Sequence, residues 1–382
     1  MKTVQTQARF LSVKRSGEFL IIAAMMLTTI GLVMVYAASA MKGLQQFGDA
    51  FMFIRKQGLV ALAGVGAIFM IQKLSEKQIR LLTAPLLLFS VTVLALILVP
   101  GVYKSGGGAN RWIHVFGVGF QPAELAKLAL VFFLAKNLSR EQFAIDDFRR
   151  GILPNLLVYA AFACFMMLQP DFGSTVLIGA VLVSMLFVAG LQIRYILGLA
   201  FSALALVAAA IMVAPYRMAR VTSFLDPWSE SRGSGFQIIQ SYLAFQNGGF
   251  AGVGLGESKQ KLYFLPEAHT DFILAVLGEE FGFIGVMLVS SLFCLFIYCG
   301  LRIAFFQTTL FRRYLAFGLT AVIGYQAAFN MAVSMGLLPT KGLPLPFISS
   351  GASSLLVSLI VSGFLFRLSK DSSIEPHTRQ TS

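Results

Sequence analysis

The sequence predicts an all-α integral membrane protein with about ten transmembrane helices and one long extracytoplasmic loop. Three observations carry this. Of 382 residues, 57% are hydrophobic and only 12% charged, where soluble domains average about 25% charged. So few charges could not cover a water-facing surface, which excludes a soluble enzyme. Apolar runs near the ~20 residues needed to cross hydrocarbon recur along the chain. Lys and Arg lie in the short connectors between those runs, as in membrane proteins whose cytoplasmic loops are basic.

In chain order the expected spans are approximately 18–38, 57–72, 79–100, 120–136, 152–169, 174–190, 193–214, 271–300, 314–336 and 351–367. Residues 1–17 form a cytoplasmic segment, 18–367 a single polytopic membrane domain and 368–382 a cytoplasmic tail. Ala38-Ser39-Ala40 resembles a signal-peptidase site, but the preceding apolar stretch exceeds the 7–15 residues of a signal peptide, so the first helix is expected uncleaved. With the N-terminus inside, the inner segments hold 18 Lys and Arg. The short outer loops hold six: Lys42, Arg55, Lys56, Lys104, Arg111 and Lys341. Both termini are therefore expected in the cytoplasm.

Other classes fall away. The apolar content excludes disorder. The net charge of +13 is dispersed rather than gathered on one face, which argues against nucleic acid. Cys164, Cys294 and Cys299 lie inside apolar runs and read as packed thiols. His114, His269 and His377 do not cluster, so a His-rich metal site is not expected.

Chemistry should sit where polar residues occur at membrane depth or at its outer edge, because an ionisable group within a span costs about 2.5–3.5 kcal/mol or more. The fourth span opens Gln121-Pro122-Ala123-Glu124-Leu125-Ala126-Lys127. Glu124 and Lys127, three apart on one helix face, can neutralise each other; they either lock this helix to its neighbours or line an outward cavity. In the connector 101–119, Gly106-Gly107-Gly108 precedes Arg111, a candidate phosphate partner. The turn Gln169-Pro170-Asp171-Phe172-Gly173 places Asp171 as a cap for the sixth helix. The 215–270 loop carries Arg217, Arg220 and Gly252-Val253-Gly254-Leu255-Gly256. With no strand before it, that glycine run is not a nucleotide fingerprint. The loop ends Leu265-Pro266-Glu267-Ala268-His269-Thr270-Asp271-Phe272, which puts Asp271 at the outer start of the eighth span, as an N-cap or a reactive carboxylate. Glu279 and Glu280 follow and need partners. The last connector, Asn330 to Gly351, holds three prolines in eight residues. Such backbone near a membrane is tolerated only when buried in protein or lining a water-filled cavity, and Lys341 and Ser349 are candidate occupants of that cavity.

These motifs together resemble the SEDS family (shape, elongation, division and sporulation): Gln121 to Lys127, Gln169 to Gly173, Pro266 to Phe272 with Gly278-Glu279-Glu280, and Leu338-Pro339-Thr340-Lys341-Gly342. The resemblance runs from about residue 17 to 370. Ala268 after Pro-Glu and the Thr-Lys-Gly triplet are more similar to the division branch than to the elongation branch. Ser350 and Ala352 depart from the family's usual Tyr and Gly. The resemblance implies a SEDS-type fold and a peptidoglycan glycosyltransferase that polymerises lipid II into β-1,4 glycan at the outer face of the cytoplasmic membrane, at the division septum. It implies Asp271 as the base. It also implies substrate binding by Arg111, Lys127, Arg217 and Lys341 as cations, by Glu124 holding Lys127, and by His269, Thr270 and Ser349. No cofactor is strictly required; a divalent cation, Mg or Mn, would add positive charge at the pyrophosphate. The implied partners are lipid II, membrane lipid, a class B penicillin-binding protein transpeptidase (FtsI-like) and other division proteins. Two rival readings remain at this point, a lipid II flippase and a non-catalytic division scaffold.

Overall fold

A computed structural model describes residues 2–99, 104–106, 109–115, 118–140, 147–213, 215–231, 233, 235–261, 265–266, 268–340 and 342–371. The helices, in chain order, are α1 (Lys2–Phe47), α2 (Met52–Ile71), α3 (Glu76–Leu96), α4 (Pro122–Leu138), α5 (Leu153–Leu168), α6 (Phe172–Val188), α7 (Ile193–Val213), α8 (Pro215–Leu225), α9 (Phe236–Gly248), α10 (Ile273–Phe305), α11 (Leu310–Ser334) and α12 (Ala352–Asp371). All except α8 and α9 coincide with the ten expected spans. Eight of these ten are long and apolar enough to cross a membrane. The other two, α4 and α6, have 17 residues each.

Three features differ from expectation. The glycine-bearing connector after α3 holds a small antiparallel meander of β1 (Lys104–Gly106), β2 (Ala109–Val115) and β3 (Val118–Phe120), because β2 alternates Trp112 and His114 with Ile113 and Val115 as a strand can. The long loop after α7 contains two helices, α8 and α9. Cys164 and Cys294 face outward from their helices, and only Cys299 is buried. An apolar run in a membrane protein has a lipid side, so an apolar setting does not imply packing.

The core is organised around α4. It is buried on nearly every face and packs against α3, α6, α11 and α12, while α1 runs along α10 and α12. By contrast α7 buries no residue and touches chiefly α6 and α8. Two polar layers close the bundle. On the layer shared with the N-terminal side, Arg312 and Arg80 both pair with Glu76 at 2.7 and 2.8 Å, and Gln307 and Arg367 donate to the carbonyls of Leu368 and Leu74. The opposite layer contains the α5–α6 turn, the α7–α10 segment and the α11–α12 connector, and the candidate residues gather there.

One helix is broken. Gly282 in α10 has φ 63° and ψ −159°, a backbone region open essentially to glycine. The hydrogen bonds lost at the break are replaced by the 249–254 segment: Val253 and Gly254 N–H donate to the Glu279 and Glu280 carbonyls at 3.0 Å, and Phe283 N–H donates to Gly249 O at 2.9 Å. A Cβ at Gly282 would stand 2.4 Å from Gly252 N, so the inserted backbone fits only against glycine.

Candidate active site

The site is built on the last turns of α11 and the connector that follows. Pro339, Pro344 and Pro346 forbid helix there, and the chain folds back into the bundle until Phe347 O and Ile348 Cα lie against Gly31 of α1. Phe347, at φ 65°, is buried between Phe293 and Phe296. Ser349 fixes this return. Its hydroxyl donates to Thr270 O at 2.6 Å and accepts from Leu345 N–H at 2.7 Å. Ser350 N–H donates to His269 O at 2.9 Å, and Gln57 Nε2 donates to Ser349 O at 3.1 Å. The His269 ring sits edge-on to Phe53, 5.6 Å between centroids. His269, Thr270 and Ser349 are thus brought together, and they form the frame on which Asp271 stands.

Asp271 stands two residues before α10 and is partly buried; Phe272, not Asp271, occupies the cap position. Its carbonyl accepts from Asn330 Nδ2 at 2.9 Å, and the same amide group donates to Leu343 O at 2.7 Å. Asn330 therefore ties the Asp271 turn to the proline-rich connector. Its Oδ1 is buried without a hydrogen-bond partner among the described residues.

Beside this frame lies a cavity of about 280 Å³. The α5–α6 turn (Asp171, Phe172), Val207 and Ile211 of α7, Arg217 and Arg220 of α8, and Thr340, Gly342 and Leu343 line it. Arg217 donates to Ala210 O at 2.8 Å and lies over the Phe172 ring at 5.5 Å; Arg220 donates to Thr340 O at 2.9 Å. Both guanidinium groups are thereby held at the wall. Asp171 caps α6 through Ser174 N–H at 3.1 Å, as expected. It also accepts from Ser174 Oγ at 2.8 Å and from Gln121 Nε2 at 2.9 Å, which joins the openings of α4 and α6.

Glu124 does hold Lys127, at 2.8 Å. The pair does not line the cavity, however. Lys127 is 0% exposed and Glu124 3%. Lys127 Nζ also donates to Gln326 Oε1 at 2.5 Å, and Gln326 Nε2 donates to Pro344 O at 2.9 Å. The expected cavity cation is instead the interior anchor of the connector, because Glu124 and Gln326 hold its ammonium group among buried side chains and Gln326 in turn holds Pro344 O. The side chain of Arg111 and the whole of Lys341 lie outside the described residues; the neighbours of Lys341, Thr340 and Gly342, line the cavity.

Glu279 and Glu280 find partners in the long loop. Glu279 accepts from the Ser258 hydroxyl, from Asn247 Nδ2 at 3.3 Å and from Gln260 N–H at 3.2 Å. Glu280 pairs with Lys261 at 2.7 Å. Sequence reasoning passed over Arg220 and Asn330 as site residues. Arg220 carried a signal, since it follows Arg217 by one helical turn. Asn330 carried only its polarity within an apolar run.

A family model described as a cell cycle protein, that of FtsW, RodA and SpoVE, matches residues 18–374. The chain is 43% identical over 357 residues to a probable peptidoglycan glycosyltransferase FtsW of Geobacter metallireducens, covering 94% of this chain and 95% of that protein. It is 43% identical over 353 residues to the stage V sporulation protein E of Bacillus subtilis, covering 92% and 96%. A chain from a peptidoglycan synthase complex, described as coordinating polymerization and crosslinking, matches with a TM-score of 0.76 and 30% identity over 93% of this chain and 98% of that one. The rod shape determining protein RodA of Thermus thermophilus matches with a TM-score of 0.69 and 26% identity, over 93% and 97%. With a family match across nearly the whole sequence and relatives more than 40% identical over more than nine-tenths of it, the chain belongs to the FtsW–RodA–SpoVE family of cell cycle proteins, the SEDS family.

Proposed function

We propose that the protein is a peptidoglycan glycosyltransferase that polymerises lipid II into β-1,4 glycan strands at the outer face of the cytoplasmic membrane during cell division. In this reading both termini are cytoplasmic and the protein works at the septum beside a class B penicillin-binding protein transpeptidase. The names of its relatives support the reaction class. The observation that carries the assignment of roles is the convergence of the Asp271 turn, two wall-held arginines and the proline-rich connector on one end of the bundle.

Asp271 takes the proton of the acceptor 4-hydroxyl as its oxygen bonds to C1 of the donor sugar. The bond from C1 to the pyrophosphate oxygen breaks, the leaving group keeps the electron pair, and the α-linked donor becomes a β-linked product. A positioned base contributes typically about 10²–10⁴-fold, and charge held ready at the leaving group adds to it. Arg217 and Arg220, with Lys341, supply that charge. His269, Thr270 and Ser349 act by holding the backbone on which Asp271 stands, and Glu124 with Lys127 holds the connector from behind.

Among the described residues no cluster of three or more His, Cys, Asp or Glu side chains could hold a metal, and both carboxylate oxygens of Asp171 are already engaged. These residues do not make a protein-built cation site, and no step is assigned to one. Any divalent cation that assists would enter with the pyrophosphate.

The test uses the full chain in liposomes with its cognate transpeptidase and lipid II, with and without Mg or Mn. Wild type should yield a polymer ladder that Asp271→Asn reduces by about 100-fold or more. A folded, partner-bound wild type that makes no ladder overturns the enzyme reading in favour of lipid transport.

A further inference from the structure

We propose that the glycine-rich loop after α9 is seated in the bilayer, with Phe250, Val253 and Leu255 at the boundary between acyl chains and headgroups. The surface lies outside the candidate active site. The proposal holds whatever reaction the protein catalyses and whichever way its termini face. Residues 248–256 read Gly-Gly-Phe-Ala-Gly-Val-Gly-Leu-Gly, nine residues without one polar side chain, whereas loops in water are built from polar turn residues. Nor are the apolar side chains hidden in the protein. Phe250 is 70% exposed, Leu255 55% and Val253 43%, and an exposed apolar patch of this kind marks a contact surface.

The depth of the loop follows from α10. Between Glu280 and Arg302 the chain runs 21 residues without a charge. At a rise of 1.5 Å per residue that is about 32 Å, close to the thickness of the hydrocarbon layer. Ionisable groups are costly inside that layer, so Glu280 and Arg302 mark its two edges, and the break at Gly282 lies at the Glu280 edge. The loop is joined to α10 at this level. Phe283 and Ile284 N–H donate to the carbonyls of Gly249 and Phe250 at 2.9 and 3.3 Å, and the Phe250 ring stacks on Phe283 with centroids 5.9 Å apart. Phe283 is itself exposed, and Ile284, Met287 and Leu288 continue its outward stripe along the span. The apolar face of the loop is therefore continuous with the lipid-facing side of α10.

The backbone can bear this placement. Near hydrocarbon its N–H groups need partners within the protein. Gly249 donates to Phe245 O at 3.2 Å, Gly252 to Gly248 O at 2.8 Å, and Val253 and Gly254 to the Glu279 and Glu280 carbonyls. A Cβ at Gly252 would collide with Glu280 O, so the close approach that makes these bonds requires glycine. Recognition of one headgroup would need a cation or a polar side chain in the loop, and residues 248–256 contain neither. The partner is the apolar edge of the bilayer, met by aromatic and aliphatic side chains.

The test uses the full chain in phosphatidylcholine vesicles, with Trp112→Phe and Trp228→Phe removing both native tryptophans and Leu255→Trp as the reporter. Phosphatidylcholine brominated on acyl carbons close to the headgroup should quench most of the reporter's emission, and aqueous iodide should quench little of it. Emission indifferent to the brominated lipid overturns the proposal. Quenching by iodide in that case places the loop in water, where its apolar face would be covered by another protein. If Leu255→Trp elutes unfolded, Phe250→Trp, which keeps an aromatic ring beside Phe283, is read with the same two quenchers and decides the matter.

Discussion

Neutralising Lys127 alone would strand the Glu124 carboxylate among side chains with no access to water. Breaking a buried pair from one side costs about 3–5 kcal/mol, whereas replacing both members with uncharged groups is often neutral. Lys127→Met should therefore lose most of its folded yield in detergent. Lys127→Met with Glu124→Gln should recover it, measured by monodisperse elution and melting temperature. Asn330 is a second residue whose effect exceeds its size. Asn330→Ala removes the donor shared by the Asp271 and Leu343 carbonyls, which leaves Asp271 O the longer bond from Ser334 Oγ at 3.5 Å and costs about 1–3 kcal/mol for a buried group left unpaired. Its turnover should fall more than its affinity for lipid II, because the turn carrying Asp271 loosens while the cavity arginines stay in place.

At the scale of elements, α10 is two helices joined end to end. Gly282→Ala combines a left-handed backbone with a Cβ placed against Gly252 N, and should destabilise by about 2 kcal/mol or more. The break and the loop beside it are one unit, since Glu279 and Glu280 grip residues 258–261 from the helix side. Lys261→Met should accordingly expose the loop to protease, with Glu280→Gln partly restoring protection. Little of this was legible in the sequence. Gly282 lies inside an apolar run and reads as helix interior, and its role depends on a segment some thirty residues earlier that meets it only in three dimensions. The acidic pair announced that it needed partners, but Ser258 and Lys261 sit in a loop with no periodicity to mark them. The three short strands after α3 were hidden by glycines that read as slack. Asp171, by contrast, was legible as a cap because its partner is three residues away.

For the whole molecule, the ten spans were readable because hydrocarbon thickness sets their length, and the backbone must satisfy its own hydrogen bonds inside it. The lipid-facing and core-facing sides were not, as the outward Cys164 and Cys294 illustrate. The proposed sidedness can be checked on a cysteine-free chain. Ser231→Cys in the long loop should label from outside intact cells with an impermeant maleimide, and Thr308→Cys between α10 and α11 should label only after permeabilisation.

The isolation of α7 sets how this protein should be assayed. A helix with no buried residue, whose Val207 and Ile211 form one wall of the cavity, separates that cavity from lipid by a single unsupported layer. For a substrate anchored by a polyprenyl chain, the route in is then sideways, within the plane of the bilayer. The relevant concentration is molecules per unit area, not per litre. An apparent KM in micelles should rise in proportion to added detergent at constant lipid II, while kcat stays fixed. A KM indifferent to that dilution would mean that the substrate enters from water.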